Sequence, residues 1–202
     1  EPSWNVPGSI GCWRGCRLDR AVSNFESFKN HVSVLFWSLG NESYAGDILV
    51  EMNRYYKEKD PDRLVHYEGV AENRPYEDLI SDMESQMYAP PEKIKEYLEN
   101  NPKKPFILCE YMHDMGNSLG GMESYIRLLD QYEDYQGGFI WDYIDQALFV
   151  KDEVTGRDVL RYGGDFDDRP SDYEFSGNGI LFADRTEKPA MQEVRHYYGL
   201  RR

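Results

Sequence analysis

Val32-Ser33-Val34-Leu35-Phe36-Trp37-Ser38-Leu39-Gly40-Asn41-Glu42 is the stretch on which the fold turns. Residues 32–39 are apolar or β-branched and Gly40 closes the run, so it reads as a buried strand. Before it, Leu18, Val22, Phe25 and Phe28 recur at helical spacing over residues 18–30, after a Pro-, Gly- and Trp-rich loop at 1–17. After it, Ile48, Leu49, Met52, Tyr55 and Tyr56 form the core face of a helix over 44–59. Asp60-Pro61-Asp62 stops that helix, and Leu64 to Tyr67 is a short strand. The alternation then repeats. A weak helix near Tyr76 to Ile80 precedes a short strand at Asp82 to Met87. A helix over 91–100 carries Pro in its first turn. Phe106 to Cys109 is a strand, Gly121 to Gln131 a helix and Gly138 to Ile144 a strand. From Lys151 the chain reads as long ordered loop ending in a helix near Lys188 to Tyr198.

Strand and helix alternating five times predict an α/β fold with a parallel sheet. No Gly-x-Gly-x-x-Gly follows a strand and no Gly-Lys-Ser/Thr phosphate loop occurs, so neither nucleotide-binding variant has support. The remaining common architecture is the (β/α)8 TIM barrel, which needs about 250 residues. With 202 residues and five strand-helix units, such a barrel would lack three of its eight strands.

Composition narrows the function. The formal net charge is −14, which disfavours binding to nucleic acid or to anionic lipid. Aromatic residues at 14% mark a folded rather than a disordered chain. No apolar run approaches the roughly 18 residues of a membrane span. Glu1-Pro2-Ser3-Trp4 has neither a basic nor an apolar leader region, and reads as a cut piece rather than a natural beginning. Three cysteines, Cys12, Cys16 and Cys109, do not suit a disulfide framework. They read as free thiols in a reducing compartment, hence a cytoplasmic protein.

Reactive groups in TIM barrels follow the C-terminal ends of strands. Those positions here hold Asn41-Glu42, Tyr67-Glu68-Gly69, Met87-Tyr88, Cys109-Glu110-Tyr111 and Trp141-Asp142. Two glutamates on different strands can converge on one substrate. A retaining glycosidase needs that arrangement, with one carboxyl as proton donor and the other as nucleophile about 5–5.5 Å away. Trp37 and Trp141 offer apolar faces for a sugar ring, and Asn41 and His113 offer hydrogen-bond donors. The plainer alternative is that these carboxylates are solvated loop residues. His66, His196, and the acidic run Asp165, Asp167 and Asp168 take that plainer reading, and His31 reads as structural.

Four long motifs in order add a resemblance. They are 37–43 (Trp-Ser-Leu-Gly-Asn-Glu-Ser), 109–121 (Cys-Glu-Tyr-Met-His-Asp-Met-Gly-Asn-Ser-Leu-Gly-Gly), 137–146 (Gly-Gly-Phe-Ile-Trp-Asp-Tyr-Ile-Asp-Gln) and 162–166 followed by 178–185. Together they resemble the signatures of the large bacterial β-galactosidases of glycoside hydrolase family 2. The resemblance runs from about residue 18 to the end. It implies strands four to eight of that family's central barrel, within a larger multidomain enzyme, so that residues 1–202 are a partial catalytic domain.

It further implies hydrolysis of terminal, non-reducing β-D-galactosides by double displacement. In that reading Glu42 is the general acid/base and Glu110 the nucleophile. Asn41 binds the sugar 2-hydroxyl, Tyr88 hydrogen-bonds the nucleophile, and His113 and Trp141 line the sugar pocket. Glu42 also resembles a magnesium ligand whose partners, a Glu and a His, belong to a preceding strand. The Phe175 carbonyl and the Asn178 side chain resemble sodium ligands. The family's His-Pro-Ser is His31-Val32-Ser33 here. Two other readings stand beside it. One is a relative acting on β-glucuronides or β-mannosides. The other is an inactive sugar-binding or structural fragment that associates through its open barrel edges.

Overall fold

The computed structural model describes residues 3–116 and 118–199. The chain divides into two compact units. The first comprises Glu1–Met87, Ile94–Cys109 and Asp134–Gln136, and the second Tyr88–Lys93, Glu110–Glu133 and Gly137–Arg202.

The first unit alternates strand and helix from its start. Strand β1 (Ser3–Pro7) precedes helix α1 (Arg14–Phe28), strand β2 (Phe36–Ser38), the two-residue strand β3 (Ser43–Tyr44), helix α2 (Asp47–Lys59) and strand β4 (Leu64–His66). β1 pairs in parallel with β3, and β2 with β4, aligning Trp37 with Val65 and Ser38 with His66. In α2, Ile48, Leu49, Met52 and Tyr56 are buried, as the helical period requires. Asp47 in its first turn and Lys57 and Lys59 in its last complement the helix dipole. α1 buries Ala21 and Phe25 against the same core.

At the centre of that core lies Trp37, 2% exposed. Its ring stacks on Tyr56 at 5.3 Å, meets Phe25 at 5.5 Å, and its Nε1–H donates to Asp60 Oδ2 at 3.0 Å. Trp37 is therefore no sugar platform. On a short strand successive side chains alternate, and Trp37 falls on the inward side between Phe36 and Ser38.

Two expectations change here, and a third holds. The strand expected over 32–39 contracts to Phe36–Ser38, because Val32 and Leu35 are 94% and 76% exposed. The expected loop at 1–17 contains β1 and the first turn of α1. The weak helix expected near 76–80 is present as helix α3 (Glu77–Ile80), entered through a 3-10 turn at Arg74–Tyr76.

The chain continues through strand β5 (Glu84–Met87), helix α4 (Pro91–Glu99), strand β6 (Phe106–Tyr111), helix α5 (Met122–Gln131) and strand β7 (Tyr135–Ile140). These strands are ordered β5-β6-β7. Phe106, Ile107 and Leu108 are all buried, the continuous apolar run of a strand covered on both faces.

In the second unit, strands β8 (Leu148–Lys151) and β9 (Asp158–Arg161) form an antiparallel hairpin whose second strand falls in the segment expected to be loop from Lys151. Helix α6 (Met191–Gly199) packs Val194 with Met122, Ile180 and Leu181. Ile144 bridges to Leu181, and Leu181 to Glu187. Among the described residues no sheet closes into a barrel, and no helix is long and apolar enough to cross a membrane.

Candidate active site

The expected site residues fall in both units. Asn41 and Glu42 follow β2 in the first, while Tyr88, Glu110, His113, Trp141, Phe175 and Asn178 lie in the second.

In the second unit, Glu110 sits one residue before the end of β6. The Tyr88 hydroxyl donates to Glu110 Oε2 at 2.7 Å, and the Tyr88 amide donates to the Glu110 carbonyl at 2.9 Å. One residue thus holds Glu110 at backbone and side chain together. Tyr88 reaches it from a left-handed backbone, φ 53°. The His113 ring lies 5.6 Å from that of Tyr88 and 6.0 Å from that of Phe175.

Backbone bonds tie the loops that carry these groups. Trp141 N–H donates to the Tyr111 carbonyl at 3.0 Å and Asp114 N–H to the Trp141 carbonyl at 2.9 Å. Asp142 N–H donates to the Asn178 carbonyl at 2.8 Å, and Ile180 N–H returns to the Asp142 carbonyl at 3.0 Å. Tyr88, Glu110, His113, Trp141, Phe175 and Asn178 are thereby gathered on one connected framework. Asn117, part of the motif after Glu110, lies outside the described residues.

Beneath these loops lie charged residues that sequence reasoning did not single out. Asp114 is 2% exposed and its Oδ2 has no hydrogen-bond partner among the described residues. Burial pushes its carboxyl up to about 6. The negative charge of Asp145 adds to this, and Lys188 opposes it. Lys188 Nζ donates to Asp145 Oδ1 at 2.8 Å and to the Gly177 carbonyl at 3.1 Å, while Gly179 N–H donates to the same Asp145 oxygen at 2.8 Å. A cavity of about 890 Å³ is lined by Asp114, Lys188, Tyr162 and Phe182 among others, but not by Glu110, Tyr88 or His113.

In the first unit the carboxyl of Glu42 is exposed while its backbone is held. Its amide donates to Glu68 Oε1. The next amide, of Ser43, donates to the Tyr67 hydroxyl at 3.0 Å, and that hydroxyl donates to the Ser43 carbonyl. Tyr67 is fully buried, which raises its hydroxyl's pKa and keeps it neutral. His66, expected as an ordinary histidine, is buried between Ser38 Oγ at 3.0 Å and Ser85 Oγ at 2.7 Å, and burial lowers its ring to about 4.

The remaining expectations resolve simply. Asp168 accepts the amides of Gly164 at 2.9 Å and Phe166 at 3.2 Å, so it shapes its own loop. Cys12, Cys16 and Cys109 are free thiols. The two metal sites differ in fit. Asn178 is 3% exposed, its Nδ2 donates to the Phe175 carbonyl at 2.6 Å, and its Oδ1 has no partner among the described residues, so an oxygen suited to a hard cation is buried there. For magnesium only Glu42 was expected, and among the described residues no three His, Cys, Asp or Glu side chains gather as a metal site.

Comparison with known proteins bears on the whole chain. The family model for glycosyl hydrolases family 2, TIM barrel domain, matches residues 1–201. The beta-galactosidase large subunit of Latilactobacillus sakei is 73% identical over 199 residues, covering 98% of this chain and 32% of that protein. The protein of the same name from Lactobacillus helveticus is 69% identical over 200 residues, covering 99% of this chain and 32% of its own length. The chain therefore spans about a third of the length of these relatives. In fold it is similar to the β-glucuronidase of Lactobacillus rhamnosus, with a TM-score of 0.62 at 17% identity, over 98% of this chain and 37% of that one. With the strand-end glutamates, the ordered motifs and the family match in agreement, the chain belongs to the glycosyl hydrolases of family 2, in their TIM barrel domain.

Proposed function

We propose that this chain carries the two reacting carboxylates of a retaining β-galactosidase, and that the full-length protein hydrolyses terminal, non-reducing β-D-galactosides. The observation that carries this reading is the 2.7 Å hydrogen bond from the Tyr88 hydroxyl to Glu110 Oε2. It gives one oxygen of a strand-end carboxylate a fixed donor and so orients the other for attack. Relatives named as beta-galactosidase large subunits at 73% and 69% identity support the galactoside as substrate.

The steps follow from the groups present. Glu110 attacks the anomeric carbon as the bond to the leaving oxygen breaks, and Glu42 gives that oxygen its proton. Glu42 then takes a proton from water, which displaces Glu110 from the sugar with a second inversion, so configuration is retained. The Tyr88 hydroxyl holds charge on the Glu110 carboxylate as it leaves. In this reading Asn41, beside Glu42, binds the 2-hydroxyl, and His113 and Trp141 contact the sugar ring.

Phe175 and Asn178 would hold sodium, which supplies a positive charge for a sugar oxygen. No step here runs through magnesium, since Glu42 alone does not make a site for it. The name large subunit, borne by both relatives, supports assembly of the full-length protein with a further chain.

The test is hydrolysis of 4-nitrophenyl β-galactoside by the full-length protein, with the anomer first released read by proton NMR. Release of the β-anomer is expected. Release of the α-anomer, or activity on β-glucuronide with none on β-galactoside, would overturn the reading.

A further inference from the structure

We propose that Glu68 is a positioning residue for Glu42, acting through the Glu42 backbone rather than on substrate. The proposal rests on the reading of Glu42 as acid/base. Glu42 is held at φ 48°, a left-handed conformation that a non-glycine residue keeps only when its surroundings over-determine it. Its carboxyl is exposed, so packing of the side chain does not supply that determination.

The turn after β4 supplies it instead. Glu68, 7% exposed, accepts the Glu42 amide on Oε1, a charge-assisted bond in a buried setting. Tyr67 brackets Ser43 by accepting its N–H and donating to its carbonyl. A Cβ on Gly69 would stand 2.6 Å from the Ser43 carbonyl oxygen, so the turn approaches this closely only with glycine there. Asn73 Nδ2 donates to the Ala45 carbonyl at 2.8 Å further along. Tyr67, Glu68 and Gly69 thus bear on two consecutive residues, Glu42 and Ser43. A buried carboxylate is costly to retain unless it is satisfied. Here its satisfaction fixes the direction in which the acid/base carboxyl leaves the backbone.

Misplacing a proton donor slows only reactions that need the proton. The experiment therefore compares kcat/KM of the full-length protein on 2,4-dinitrophenyl β-galactoside, whose leaving group departs unaided, with that on 4-methoxyphenyl β-galactoside, whose leaving group needs protonation. Glu68→Leu is expected to fall about 10- to 100-fold on the second substrate and by less than about 3-fold on the first. Glu68→Asp keeps the charge but loses reach and is expected to show the same split, which preserves the test if the leucine variant does not fold. Glu68→Gln still presents an acceptor oxygen and is expected to restore both rates. Equal losses on both substrates, or wild-type rates for Glu68→Asp on both, would overturn the proposal. Glu42→Ala is run beside them. If it shows no split, the acid/base reading itself fails; if it shows one and the Glu68 variants do not, only the positioning role fails.

Discussion

The two units treat their strand-end glutamates in opposite ways. In the second unit the side chain of Glu110 is fixed, by a hydroxyl that belongs to the same framework as its backbone partner. In the first unit the side chain of Glu42 is exposed and the backbone is fixed, by a buried carboxylate and a buried phenol. The contrast matches what the proposed mechanism asks of each group. A nucleophile must meet one carbon along one line, so its oxygen is held. An acid/base must give a proton to one oxygen and later take one from another, so its carboxyl is delivered by the chain and left unclamped.

The two units also use their buried carboxyls differently: Glu68 holds an amide, whereas Asp114 has one oxygen without a partner among the described residues.

The contrast can be broken at several points. The largest expected effect is at Glu110. Glu110→Gln removes the nucleophile and is expected to lower kcat about 10^4-fold or more, measured on a nitrophenyl galactoside. A loss smaller than that of Glu42→Ala on the same substrate would reverse the two roles.

Next is Trp37, which separates core from pocket. Trp37→Ala is expected to cost about 3–5 kcal/mol in stability, read by denaturant unfolding, with KM for galactoside unchanged at temperatures where the protein stays folded. A raised KM with unaltered stability would return Trp37 to the sugar pocket.

Tyr88→Phe sharpens the fixed half of the comparison. It removes a hydrogen bond to a charged group, worth about 1.5–3 kcal/mol, and is expected to lower kcat about 10- to 100-fold. The loss should exceed that for Tyr67→Phe when single-turnover rates of release from the enzyme are compared.

The smallest expected effect is at Asp114. Burial keeps its carboxyl protonated in the folded chain up to about pH 6, against an ordinary aspartate value of 3.8 in the unfolded chain. The folded state therefore binds more protons between those values, and stability falls as pH rises from about 4 to about 6. Asp114→Asn is expected to raise the melting temperature at pH 7.5 and leave it nearly unchanged at pH 3.5. An equal shift at both pH values would show that burial of Asp114 is not coupled to its proton.

Much of this was legible in the residues because helices announce themselves by period. α2 and α4 lie within three residues of the ranges read from Ile48-Leu49-Met52-Tyr56 and from Pro91 onward. Strands were legible where apolar runs were buried, as at Phe106–Leu108, and overread where they were not, as at Val32 and Leu35. β1 was missed because Trp4, Pro2 and Pro7 carry a loop's composition. The β8–β9 hairpin was missed although two apolar runs flank an Asp- and Gly-bearing turn at 152–156, a signal that was present.

In the site, motifs located the glutamates, but partnership was beyond them. Tyr67 and Glu68 were seen as a strand end. That they reach back to Ser43 and Glu42 depends on a close approach at Gly69 that no local pattern encodes.

The measurement that tests the central claim most directly is trapping of the full-length protein with 2,4-dinitrophenyl 2-deoxy-2-fluoro-β-galactoside, followed by peptide mass spectrometry. The fluorine slows both displacements, and the activated leaving group lets the first proceed, so the sugar stays on the nucleophile. The account predicts a single fluorogalactosyl ester on Glu110. A label on Glu42, on another residue, or on none while the protein still hydrolyses galactosides would contradict it.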